Sequence, residues 1–194
     1  MNKFTALLMS LLISFNLAAQ RYLTEGAKLF FQNIKTTLTT SEKNLLFERS
    51  GLALSRDKKQ FVIAGDIVFI DHPFAVSVLP TDLNNDGKEE LFVVFGNSFT
   101  SGNTGSNILL FIKDKSGNYQ SNFGFSGTAP LILPTRNLGY PDLLIGGPGF
   151  EIPIWRWSGK EYLFYKKITK KNLGKVKTLR IEEVSKFYLG NKEE

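Results

Sequence analysis

Residues 82–90 place oxygen-bearing side chains at every second position: Asp82, Asn84, Asp86, then Gly87, Lys88 and Glu90. Calcium takes six to eight oxygens at flexible geometry, and alternating Asp and Asn side chains in a tight loop can converge on one point. Gly87 would permit the sharp turn, the Lys88 carbonyl would add an oxygen, and Glu90 would close the set. The position twelve residues into the loop, where a helix–loop–helix calcium site needs a bidentate glutamate, is Val93, in an apolar run. That excludes the helical version of the site. Magnesium is disfavoured because it retains several waters and uses few carboxylates. A plain hairpin would need the Asn85-Asp86-Gly87 turn but not Asp82 and Glu90 as well.

Other catalytic constellations are sparse. The single histidine, His72, sits in Asp71-His72-Pro73, a polar break that reads as a surface turn. With one histidine and no cysteine, zinc–thiolate sites, Cys–His nucleophiles and disulfides are all excluded. No Gly-x-Ser-x-Gly elbow occurs. Gly146-Gly147-Pro148-Gly149 lacks the lysine and following helix of a phosphate loop. Glu89 with Glu90, and Asp142 with Glu151, are carboxylate pairs, but nothing in the sequence sets either pair across a scissile bond. A hydrolase built on Asp142 or Glu151 is the weakest reading, and the chain is expected not to be an enzyme. Trp155 and Trp157 lie two apart and share one face of a strand, with Arg156 opposite. They read as core or as a platform for a glycan or protein partner.

The elements that must position these residues follow from periodicity. The first twenty residues, MNKFTALLMSLLISFNLAAQ, combine Lys3, an apolar stretch from Ala6 to Phe15, and a small-residue exit at Leu17-Ala18-Ala19. This is the pattern of a secretory signal, with cleavage expected after Ala19. No cysteine follows it to carry a lipid, and no later apolar run is long enough to span a bilayer. The protein is expected to be exported, to the periplasm or beyond, with residues 20–194 forming one domain.

Ala27, Phe30, Phe31, Ile34 and Leu38 predict an amphipathic helix over 24–38. Thr39-Thr40-Ser41-Glu42 is a capping-box pattern that predicts a second helix ending near Gly51. After residue 51 the period shortens, predicting strands at 52–55, 60–64, 67–70, 74–79, 91–95, 107–113, 119–123, 142–146, 152–157 and 162–168. Residues 97–106 read as a small-residue loop, and 181–189 as a last helix before a charged tail. The expected class is therefore α+β: N-terminal helices, then a mainly antiparallel β-rich body.

Within that body, Gly87 to Gly96 lines up with Gly139 to Gly146: a glycine, an acid three later, then an apolar strand ending on glycine. Residues 78–123 and 134–168 thus read as two copies of one unit. DLNNDGKEELFVVFG resembles the calcium loop of FG-GAP and VCBS repeats, the β-propeller blades of integrin α-chains and of many secreted bacterial proteins. GYPDLLIGGPG at 139–149 resembles the end of the same repeat. The resemblance covers roughly residues 78–168 and implies calcium held by Asp82, Asn84, Asp86, the Lys88 carbonyl and Glu90. In the second copy Pro134, Arg136 and Leu138 stand where the early ligands stand, so only Asp142 is left and no ion is expected there. Two units cannot close a propeller, which needs at least four blades.

The net charge of +6 is concentrated: residues 160–180 hold eight basic side chains against one acid, Glu161. That segment is a solvated lysine-rich strand and connector, or a weak contact for an anionic surface. Nucleic acid is not an expected partner, since no binding motif accompanies the charge. The expected function is an exported, calcium-binding interaction module. The alternative is a cell-envelope inhibitor or immunity protein that blocks a hydrolase or toxin through loop 97–106 or the basic segment.

Overall fold

The computed structural model describes residues 22–147, 149 and 151–190. The expected signal at 1–19 and the tail beyond Gly190 lie outside them. The chain is mixed, mostly β, and its sheets are antiparallel. Two short helices, α1 (Glu25–Phe30) and α2 (Thr40–Arg49), precede a two-stranded ribbon of β1 (Leu52–Leu54) and β2 (Phe61–Ile63). A four-stranded sheet then runs in sequence order: β3 (Val76–Thr81), β4 (Glu90–Phe95), β5 (Asn107–Lys113) and β6 (Tyr119–Ser126). A second sheet follows with β7 (Leu131–Asn137), β8 (Tyr140–Leu144), β9 (Glu151–Trp157) and β10 (Tyr162–Thr169). The two-residue strand β11 (Leu179–Arg180) adds to the β7 edge of this second sheet, leading into helix α5 (Ile181–Gly190). Between β10 and β11 lies the single turn α4 (Lys170–Leu173). Among the described residues no helix is long and apolar enough to cross a membrane.

Strand β4 explains the layering. Leu91, Phe92 and Val93 are all fully buried, so alternate residues must be covered on both faces. Leu91, Val93 and Phe95 pack with Phe30, Leu46, Phe61 and Phe74, beneath the helices and the ribbon. Phe92 faces the other way, into a core shared with Leu143, Ile145, Trp157 and Tyr162 of the second sheet. Each such large apolar side chain contributes about 1.5–3 kcal/mol by leaving water. The first sheet is therefore a middle layer, with both of its faces inside the protein.

Local chemistry sets the boundaries. At α2, Thr39 accepts the Glu42 N–H while the Glu42 carboxylate takes the Thr39 N–H, satisfying two otherwise orphaned donors. The predicted helix over 24–38 is cut to 25–30 because the chain turns at Asn33, in the left-handed region at φ 62°. The following stretch serves another purpose: the Thr36 hydroxyl and Thr37 N–H bind the buried Glu89 carboxylate. A strand at 67–70 does not form. Asp66 accepts the Val68 and Phe69 N–H groups in a turn, and Ile67 and Val68 stay exposed. Residues 97–106 are not plain loop either: the Asn97 side chain caps a four-residue helical turn, α3 (Ser98–Ser101). Pro134 sits inside β7 and masks that strand in the sequence. The ladder with β8 tolerates that proline through a register shift between Ile132 and Arg136.

Candidate functional site

The two sheets differ most in their first connection. In the first sheet Thr81 is the last residue of β3 to pair, with Glu90, which leaves residues 82–89 as a loop. In the second sheet Asn137 pairs with Tyr140, so Leu138 and Gly139 alone make the turn. Both have positive φ, 48° and 89°, the backbone of a tight hairpin whose twist matches its strands. Pro134 and Arg136 therefore lie inside a strand and Leu138 in a turn. The hairpin itself needs two residues, and the first sheet spends eight.

Those extra residues fold around their own carboxylates. Asp82 accepts the Asp86 N–H at 3.0 Å and the Gly87 N–H at 2.9 Å. The Asn84 Oδ1 accepts the same Asp86 N–H at 3.2 Å, and Asp86 accepts the Lys88 N–H at 2.9 Å. Two side-chain oxygens thus converge on one amide. Asn85 and Gly87 supply the left-handed backbone, at φ 60° and 81°. The loop leans on the second sheet through Arg136, whose Nη1 donates to the Leu83 carbonyl (2.8 Å) and the Gly139 carbonyl (2.6 Å).

Glu90 takes a different place from the three early residues. It is 2% exposed. Its Oε2 accepts the Leu83 N–H at 2.7 Å and its Oε1 the Tyr140 hydroxyl at 2.9 Å, so it ties the loop to β8 from within. Burial pushes its carboxyl up to about 7 against the opposing pull of these two hydrogen bonds, and the charges of Asp82 and Asp86 add to the rise. Glu89 points to the opposite face, toward Thr36, Thr37 and the Tyr188 hydroxyl. Among the described residues no three His, Cys, Asp or Glu side chains stand together as a metal-holding group. What fits calcium is the chemistry of the donors in one turn: the Asp82 and Asp86 carboxylates, the Asn84 amide oxygen and the Lys88 carbonyl. The carboxylate oxygens engaged by amides keep further lone pairs.

The remaining candidates are dispersed. Asp142, 2% exposed in its side chain, receives two hydrogen bonds from Arg156 (2.8 and 2.7 Å) and one from Thr135 (2.5 Å). Burial opposes its ionisation, but these bonds outweigh it and hold the carboxyl below its usual range. Glu151 pairs instead with Lys167 at 3.7 Å. The two acids have separate partners and make no common site. His72 stacks on Phe99 with ring centroids 3.9 Å apart. Trp157 is core, packed against Tyr140 and Tyr162, and Trp155 is half-buried against Phe125. This face of β9 is turned into the protein, so the two rings form no open platform. The sequence signal for Tyr140, Arg136 and the Asp142–Arg156 pair was absent, since each acquires its role only from a partner on another strand.

Known protein families, curated proteins and solved structures contain no match to this chain.

Proposed function

We propose that this chain is an exported, non-enzymatic interaction module whose 82–89 loop binds calcium. The observation that carries the reading is the contrast between the two hairpins. A two-residue turn joins β7 to β8, whereas β3 and β4 are joined by a loop in which the Asp82 and Asn84 side chains converge on the Asp86 amide and the Asp86 carboxylate takes the Lys88 amide. The resemblance of this stretch to FG-GAP and VCBS calcium loops supports the same reading. Asp82, Asn84, Asp86 and the Lys88 carbonyl hold the ion, while Glu90 anchors the loop from beneath. The dication supplies positive charge where the half-buried Asp82, the exposed Asp86 and the buried Glu90 crowd together. Its role is structural: it fixes the loop that Arg136 and Glu90 tie to the second sheet.

Calcium at one hundred times its dissociation constant would add about 2.7 kcal/mol. For a domain of this size that raises the melting temperature by about 5–10 °C. Thermal melts in calcium and in chelator should show the rise, and Asp82→Ala or Asp86→Ala should abolish it. Equal melting temperatures in both conditions would overturn calcium binding. Export is tested separately, by N-terminal sequencing of protein recovered outside the cytoplasm, where Gln20 is the expected first residue.

A further inference from the structure

The outward face of the second sheet carries a groove of about 370 Å3 between β7–β10 and the α4 connector. Its chemistry is graded along the strands. At one end Leu133, Ile154, Ile168 and Val176 line it, beside the cluster that Leu144 and Ile152 complete. Leu173 and Val176 of the connector pack over this apolar end. At the other end stand Thr135, Asp142 and Arg156, and Lys166 pairs with Ile154 at the boundary.

The polar end is rigid and cationic. Two bonds to Asp142 fix the Arg156 guanidinium, and the Tyr165 ring lies 3.7 Å from it. Nε and Nη2 each donate once to Asp142, and the guanidinium is a five-donor fork with further N–H groups beyond those two. Asp142 cancels Arg156, so Lys166 and Lys167 leave the groove net positive. No acid occurs between Glu161 and Glu182, while Lys170, Lys171, Lys175 and Lys177 surround the connector. A second copy of the chain would bring the same charges and be repelled. An acidic peptide would follow the exposed lysines and make no use of the apolar lining.

We infer that this groove binds an anionic amphiphile: a carboxylate or phosphate monoester on a short alkyl chain. The head lies against Arg156 and Lys166, and the tail runs between Ile154, Ile168 and Val176. The volume lies at the lower end of the about 300–1,000 Å3 typical of small-molecule sites, which selects a short chain. None of these residues belongs to the 82–89 loop, so the site stands or falls independently of calcium.

Isothermal titration with sodium decanoate and dodecyl phosphate as monomers, against decanol as the neutral control, tests this. Both anions should bind, and decanol should bind at least about tenfold more weakly for want of a charged hydrogen-bond partner. Lys166→Glu, on an exposed side chain, should abolish binding without changing the melting temperature. Val176→Glu, which places charge in the tail path, should abolish it while lowering the melting temperature, because Val176 packs on the apolar cluster. Cosedimentation with vesicles of phosphatidylglycerol or of phosphatidylcholine distinguishes the source. Retention on the anionic vesicles, lost in both variants, assigns a lipid; monomer binding without retention assigns a free amphiphile. No heat with either anion, decanol binding as tightly, or both variants binding like wild type would overturn the inference.

Discussion

Replacing Glu90 with glutamine should change how stability depends on pH while leaving the fold intact. The side chains are nearly isosteric, and the glutamine oxygen can still accept the Leu83 N–H that now meets Oε2. In the wild type the folded protein holds the Glu90 proton up to about pH 7, against 4.5 ordinarily. The folded state therefore binds this proton more tightly than the unfolded state. Its contribution is fully present below about pH 4.5 and is lost as pH rises through about 7. A displacement from 4.5 to about 7, at about 1.4 kcal/mol per pH unit, amounts to about 3 kcal/mol. Asp142 and Glu42, whose carboxyls are held low, act in the opposite sense and only at lower pH. Urea unfolding at pH 5, 6, 7 and 8 in chelator should show the stability of Glu90→Gln gaining on wild type by about 2.5 kcal/mol across the range, the rest of the effect lying below pH 5. Saturating calcium, by countering the charges of Asp82 and Asp86, should shrink that gain. Curves for the two proteins that stay parallel from pH 5 to pH 8 would refute the reasoning.

Other perturbations bear on separate parts of the structure. Tyr140→Phe removes the hydroxyl that meets Glu90 and should cost about 1–3 kcal/mol in urea unfolding, more at pH 8 than at pH 5. Trp157→Ala should cost about 3–5 kcal/mol, because the ring is buried between Tyr140 and Tyr162; near-neutral stability would return it to the surface. Leu138→Gly should stabilise by about 0.5–1 kcal/mol, since Leu138 is largely exposed and holds a φ of 48° that glycine adopts without strain. A drop in melting temperature would count against that turn.

Short-range chemistry was legible in the chain. The Thr39 capping box, the Asn85-Asp86-Gly87 turn and the alternation that sets Trp155 and Trp157 on one face depend on residues a few positions apart. So did the β-rich character of the body and most of its strands. The apolar run at 67–70 misled because hydrophobicity does not create a pairing partner, and the turn at Asp66 won. β7 was hidden by Pro134, whose missing amide reads as a break until a neighbouring strand accommodates it by shifting register. The candidate loop was visible as a set of oxygen donors, but the destination of Glu90 was not.

What the sequence determined by itself was which residues could serve: Asp82, Asn84 and Asp86 in one turn, and a lysine-rich segment at 160–180. Tertiary structure decided what they meet. Glu90 is drawn inward because Tyr140, fifty residues away, offers a hydroxyl at the face where β4 points. Asp142 finds Arg156 only because β8 and β9 lie side by side. A buried charge must be answered by whatever group the packing brings within hydrogen-bond reach, and that group is set by strand register across the sheets, not by spacing along the chain.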